Sequence, residues 1–388
     1  MKIKTFLILF FIIINCFGQK KFSDTTNQSP KIYNSFRVDL NDSEVNEIYN
    51  LYSNYINSSP DKIYDNPYWN EKEKKLYKQF DFSAVAIYNS NNINIDYVLK
   101  NMDIFILSIE KLNNKTYTLS VQYQLKGGLQ NSNSIWCIQR INAIKDVDNN
   151  WRLQNYLNFY TNTWTTYDTN NITYHFKPKY PFETSIAKEA NDFINETLLK
   201  YKLDSSKKIN YYLVETIDEL GLLRGFDFFG AGVTTGITSI KDNYIMSSKG
   251  PFHAHELVHF IFQTTNVDRN FLLEEGIAEF LGSKPYQKNY LKDQNKLFKD
   301  IKADSLYSPK NLFYEKQEVP WNGYDWRYAF GALLCEIVYE QMGVNGLKHL
   351  LYQNTSSPNE LIKRIITILN LKNENELYNL ILEKANKN

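Results

Sequence analysis

Histidine is scarce in this chain, with 5 among 388 residues, and cysteine is scarcer, with 3. Neither sign of charge is in excess. Lys and Arg number 44, Asp and Glu 43, and the formal charge is +1. That balance excludes the basic footprint of a nucleic-acid binder or of a protein held to an anionic membrane. Long apolar runs are missing as well. Phe6–Ile14 is unbroken but covers only nine residues, half of the ~18 a membrane helix needs, and no later segment reaches that length. No internal repeat is evident. Hydrophobic residues, at 43%, and aromatics, at 15%, are ample for packed cores and exclude a disordered chain.

The first residues read as an address. Lys2 and Lys4 precede the apolar run, and Asn15-Cys16-Phe17-Gly18-Gln19 follows it. This pattern predicts a signal peptide over 1–18, cleavage after Gly18 and an exported protein with no membrane span. The alternative is a lipoprotein anchored through Cys16. Asn15, standing where such a site prefers Gly, Ala or Ser, weighs against it. Cys137 and Cys335 are then the remaining thiols. One distant pair is no disulfide framework, and two buried free thiols are expected.

Residues 19–39 are polar and read as a flexible leader. From Asp42, "DSEVNEIYNLYSNYIN" places Val45, Ile48, Leu51, Tyr52 and Tyr55 on one helical face, with Asp42 as N-cap. A short helix is expected within Trp69–Phe80. Period-two stretches then flank Asn113-Asn114 and Asp148-Asn149-Asn150, predicting two hairpins. This order resembles the curved α+β cone of the nuclear transport factor and ketosteroid isomerase superfamily. The likeness implies a cone-like module over 40–168, and no acid-base constellation is evident in it. Beyond a boundary near 168, "ITYHF", a helix over Thr184–Lys200 and "INYYLVE" lead to a Gly-rich stretch and a hairpin turning at Lys241-Asp242-Asn243. From Pro251 onward helices are expected over 252–263, 271–282, 286–301, 327–342, 345–352, 358–370 and 374–386. The expected fold class is α+β in two domains, 40–168 and 169–388.

Three of the five histidines fall in "GPFHAHELVHFIF" (250–262). His255-Glu256-Leu257-Val258-His259 fits H-E-x-x-H, which puts two imidazoles on one helical face, one turn apart. Its neighbours are apolar, and bare histidines on a buried helix cost free energy that a metal removes. Glu256 is turned about 100° from the ligand line, so it can reach a water without binding the metal. His253 lies on nearly the opposite face and is expected at the helix start or behind the ligands. A catalytic zinc wants a third protein ligand and an open position. "FLLEEGIAEFLGS" (271–283) supplies Glu275 as that ligand and Glu279, one turn on, as a carboxylate that can brace a ligand histidine. Gly276 permits a close helix approach.

"HELVH…LEEGIAEF" resembles the gluzincin metallopeptidases, the thermolysin-like group, and is nearest in spacing to its compact peptidase MA-like branch. The likeness covers about 172–388. It implies a strand-bearing subdomain, an active-site helix and a helical subdomain, with Glu275 as third zinc ligand and Glu279 as supporting acid. Glu274 stands where that group usually has Asn. The resemblance also implies an oxyanion donor in Tyr328-Ala329-Phe330-Gly331, namely Tyr328, with Tyr324 as the neighbouring alternative. It further implies strand addition of substrate at Asn243–Ser248. The aminopeptidase signature G-x-M-E-N is absent, and Gly230-Ala231-Gly232-Val233 lacks the amine-binding Glu. The expectation is an exported peptidase holding one zinc through His255, His259 and Glu275. Glu256 is its general base, Tyr328 its oxyanion donor, and a peptide or protein its substrate. The rivals are a zinc-containing binding protein without activity and a metallohydrolase of non-peptide esters.

Overall fold

The computed structural model describes residues 32–58, 66–77, 80–82, 102–126, 135–204, 208–230, 234–262, 267–283, 288–315 and 325–387. The signal peptide, most of the leader, Cys16 and Tyr324 lie outside them. The fold is mixed α+β with two sheets. Among the described residues no helix is long and apolar enough to cross a membrane.

The first sheet opens with a short strand, β1 (Ile32–Asn34), parallel to β2. Strands β2 (Met102–Asn113), β3 (Thr116–Leu125), β4 (Ile135–Lys145) and β5 (Trp151–Asn155) follow as an antiparallel meander. Both expected hairpins are present. Alternation buries Ile104, Ile106, Leu119, Val121 and Ala143 on one face. Helix α1 (Ser43–Ile56) lays Val45, Ile48, Leu51, Tyr52 and Tyr55 against that face. The Asp42 side chain caps it, accepting from the Glu44 and Val45 amides. A short α2 (Glu71–Leu76) and α3 (Tyr156–Tyr160) complete this region. Cys137 and Cys335 are free and buried in separate cores, as expected.

The second sheet begins at β6 (Thr165–Asp168), just before the expected boundary. It pairs antiparallel with β7 (Ile172–Phe176), whose partner across α4 (Thr184–Tyr201) is the parallel β8 (Ile209–Leu213). The full order is β10-β11-β8-β7-β6, with β10 (Gly236–Ser239) at one edge and β11 (Tyr244–Ser247) inside. Sequence reading places substrate pairing at Asn243–Ser248. That stretch is β11, and its two edges are already taken by β8 and β10. Among the described residues the outer strands of this sheet are β10 and β6, and β10 is the one that packs beside α6.

The Gly-rich stretch holds more order than its composition suggests. Thr216 caps a short helix, α5 (Ile217–Leu223), and β9 (Phe226–Phe229) leaves this half of the chain to pair with β4 of the first sheet. Gly225 makes that turn possible. Its φ is +82°, and a Cβ there would meet the Arg140 carbonyl at 2.5 Å. A small core of Phe82, Leu157, Tyr212, Leu220, Leu223, Tyr244 and Met246 fills the space between the sheets.

Helices dominate from Ala254. They are α6 (Ala254–Ile261), α7 (Phe271–Gly282), α8 (Lys288–Ala303), α9 (Pro309–Phe313), α10 (Trp326–Leu351), α11 (Pro358–Leu369) and α12 (Glu374–Lys387). Helix α10 is two helices joined across a kink at Gly343, with φ 63° and ψ −156°. This matches the separate segments read at 327–342 and 345–352. Helix α7 crosses α10 where Gly276 faces Gly331. A Cβ on Gly331 would lie 1.8 Å from the Leu272 carbonyl oxygen, and one on Gly276 would lie 2.2 Å from the Gly331 carbonyl carbon. The close approach expected at Gly276 is therefore made to α10. The approach to α6 runs through Gly282, where a Cβ would lie 2.7 Å from His255 Cα.

Candidate metal centre

Two tyrosines from the second sheet hold the entry to α6. Tyr174 on β7 donates its hydroxyl to the Pro251 carbonyl at 2.9 Å, and Tyr211 on β8 donates to the Gly250 carbonyl at 3.2 Å. The Tyr211 oxygen also accepts from the His253 amide at 3.2 Å. His253 is the N-cap residue, but its side chain makes no cap bond; Nδ1 lies 3.0 Å from Ser247 Oγ on β11. Burial pulls its pKa down to about 4, so the ring is neutral at pH 7. It stands outside the ligand group.

His255, His259 and Glu275 come together, as read from the sequence, and can hold a metal ion. The two Nε2 atoms are 3.1 Å apart, and Glu275 Oε2 lies 3.2 Å from the first and 3.4 Å from the second. Tetrahedral bonds of 2.0–2.2 Å to nitrogen and oxygen imply ligand separations of about 3.3–3.6 Å. The triangle is thus close to the size a small tetrahedral cation requires. Two imidazoles with one carboxylate favour a borderline transition metal over calcium or magnesium, which prefer all-oxygen shells.

Each ligand histidine has a carboxylate behind it. His255 Nδ1 lies 3.6 Å from Glu279 Oε2, the partner expected. His259 Nδ1 lies 3.5 Å from Glu274 Oε1, a pairing sequence reading did not assign. Arg269 grips Glu274 with Nε and Nη2, and its Nη1 donates to the Phe262 carbonyl at the end of α6 at 2.9 Å. One ion pair thereby ties the start of α7 to the end of α6. The available signal was "DRNFLLEE": a lone arginine five residues ahead of an acid on a largely apolar helix.

These partners set the charges. Burial opposes protonation of His259, yet Glu274 and Glu275 overcome it and push its pKa up to about 10. His255 is raised in the same way against burial, by Glu275 and Glu279. Burial alone would raise Glu275, but the two imidazoles hold its carboxyl far below the usual range. The sign follows for stability. His259 stabilises the metal-free fold below its unfolded pKa near 6.5, and that contribution is lost as pH rises through about 10. Metal binding runs the other way, because protons must leave, so affinity climbs about tenfold per pH unit for each proton displaced. Titration calorimetry at pH 7 in two buffers of different ionisation heat should count about one proton or more released per metal. A count of zero would remove His259 from the ligand set.

Glu256 is buried, with 8% of its surface exposed, and stands beside the triangle without joining it. Thr238 on the edge strand β10 donates its hydroxyl to Glu256 Oε2 at 2.6 Å. Tyr328, at the start of α10, stacks on the His255 ring with centroids 5.8 Å apart and meets Phe271 edge-on at 5.9 Å. Burial first and the Glu275 charge second raise its pKa, which keeps the phenol a hydrogen-bond donor. A cleft of about 850 Å³ opens over the group, lined by β10, His253, the three ligands, Glu256 and Tyr328. No protein-family model matches the chain, and no curated protein matches it.

Proposed function

We propose that this chain is a zinc-dependent peptidase of gluzincin type. The carrying observation is the position of Glu256. It is a buried carboxylate adjacent to a three-ligand group, outside that group, and facing a cleft bordered by β10, an outer strand of its sheet among the described residues. A metal held only for stability has no use for such a group. The order of strand-bearing segment, α6 and α7, then further helices supports the family resemblance. Residues 1–18 support export.

In this reading His255, His259 and Glu275 hold zinc, with Glu279 and Glu274 fixing the two rings. Zinc supplies a Lewis acid that lowers the pKa of water toward ~7 and polarises a carbonyl. An extended peptide pairs with β10, whose outer edge has backbone donors and acceptors to offer. Glu256 takes the proton from the attacking water and delivers it to the leaving amine. Tyr328 donates to the oxyanion that develops on the scissile carbonyl. The β10 edge favours a peptide over a small ester, because it recognises main chain.

The test is cleavage profiling on a broad peptide library. Turnover should vanish with chelator and return with stoichiometric zinc; no turnover by the zinc-loaded protein would overturn the reading. Tyr328→Phe should lower kcat by about 10²-fold or more while zinc content is unchanged. An unaltered kcat would take the oxyanion role from Tyr328.

A further inference from the structure

We infer that Thr238 is the positioning residue for Glu256, so that the strand edge meant for substrate also sets the aim of the proton-transfer group. The inference rests on the peptidase reading given above. Among the described residues, Thr238 is the one side chain that hydrogen-bonds the Glu256 carboxylate. Its Oγ1 lies 2.6 Å from Oε2 and 3.2 Å from the Glu256 carbonyl oxygen. A carboxylate can accept up to about four hydrogen bonds, so where one side-chain donor is supplied that donor sets which way it points.

The two carboxylate oxygens are thereby made unequal. Oε2 is committed to Thr238. Oε1 faces Gly236, two residues back on the same strand and the same face. A Cβ at Gly236 would lie 2.5 Å from Oε1 and 2.6 Å from His253 Cε1, so only a bare Cα leaves that oxygen room. Strand β10 therefore holds one oxygen with a hydroxyl and, among the described residues, leaves the other without a side-chain donor, beside the strand's own backbone. On this inference the other oxygen, Oε1, is the one that exchanges the proton. A peptide paired on β10 lies along the strand that performs this sorting.

Thr238→Val keeps the branched shape and the strand backbone but removes the donor; Thr238→Ser keeps the donor. In the zinc-loaded protein Thr238→Val should lower kcat on the order of 10- to 100-fold with KM within about twofold, and Thr238→Ser should stay close to the parent. In a Glu256→Gln background Thr238→Val should add nothing further, since Thr238 acts through Glu256. A second readout needs no turnover. In the metal-free protein Thr238→Val should lower Tm by about 3 °C, and the shift should vanish when Glu256→Ala is already present. Equal kcat for Thr238→Val and the parent, or additive Tm shifts in that cycle, overturns the inference and leaves the peptidase reading standing. If the zinc-loaded parent cleaves nothing, the peptidase reading falls, and the Tm cycle still decides whether Thr238 holds Glu256.

Discussion

Glu256→Gln is expected to bind zinc as the parent does and to lose peptide hydrolysis by about 10²- to 10⁴-fold, the range a positioned general base supplies. The amide is nearly the same size and can still accept from Thr238, so Oε2's place in the fold is kept. It cannot take a proton from water. His259→Ala makes the contrast. It removes a corner of the ligand triangle and leaves Glu274 and Glu275 without the imidazole between them, so metal and activity should fall together. Zinc analysis beside library cleavage reads both variants. Full activity in purified Glu256→Gln sinks the mechanism, and loss of zinc in that variant would mean that Glu256 is a ligand.

Gly331→Ala should be among the most damaging single-methyl additions in the molecule. The added Cβ would lie 1.8 Å from the Leu272 carbonyl oxygen and 2.9 Å from Gly276 Cα, and both are backbone atoms inside helices. No rotamer change relieves that contact, so α7 and α10 must part by more than 1 Å. Overpacking of this kind costs about 3 kcal/mol, which for a protein of this size lowers Tm on the order of 4 °C. The damage reaches the metal centre. Glu275 precedes one glycine of the crossing, and Tyr328 lies one turn before the other. Gly276→Ala should do the same, and the double variant should cost less than the two singles together, because one separation relieves both. Calorimetry on the three proteins checks this. A Tm within about 1 °C of the parent for Gly331→Ala would mean that the helices do not cross at these glycines.

Much of the fold was legible because local rules governed it. The helices over 43–56, 271–282, 358–369 and 374–387 carry apolar stripes, and each begins at a side-chain cap: Asp42, Asn270, Ser357 and Asn373. The hairpins turn at Asn and Asp residues that tolerate the required backbone, such as Asn149 and Asn243 with φ near 60°. The ligand triangle was legible for the same reason, since a five-residue motif and a second helix fix three residues on two faces. What escaped the sequence depends on partners distant along the chain. Nothing near Phe226–Phe229 announces a pairing with Cys137–Gln139. Thr238 is one threonine among many until β10 is laid beside α6. Glu274 looked like a departure from a family pattern, and its meaning came from Arg269 and His259 together. The stretch Asn243–Ser248, expected to be open to strand addition, is an inner strand, because a hairpin's order in the sheet is not written in either strand.

Strands β9 and β10 follow one another in the chain but belong to different sheets. The first is stitched to β4; the second carries the hydroxyl that aims Glu256. Six residues, 230–235, separate them in the sequence. Cutting the chain near 168 would strip β9 from one edge of Cys137–Gln139, which would keep only β3, and strand three phenylalanines in the other fragment. The two halves cannot be traded or shed independently, as beads on a string can.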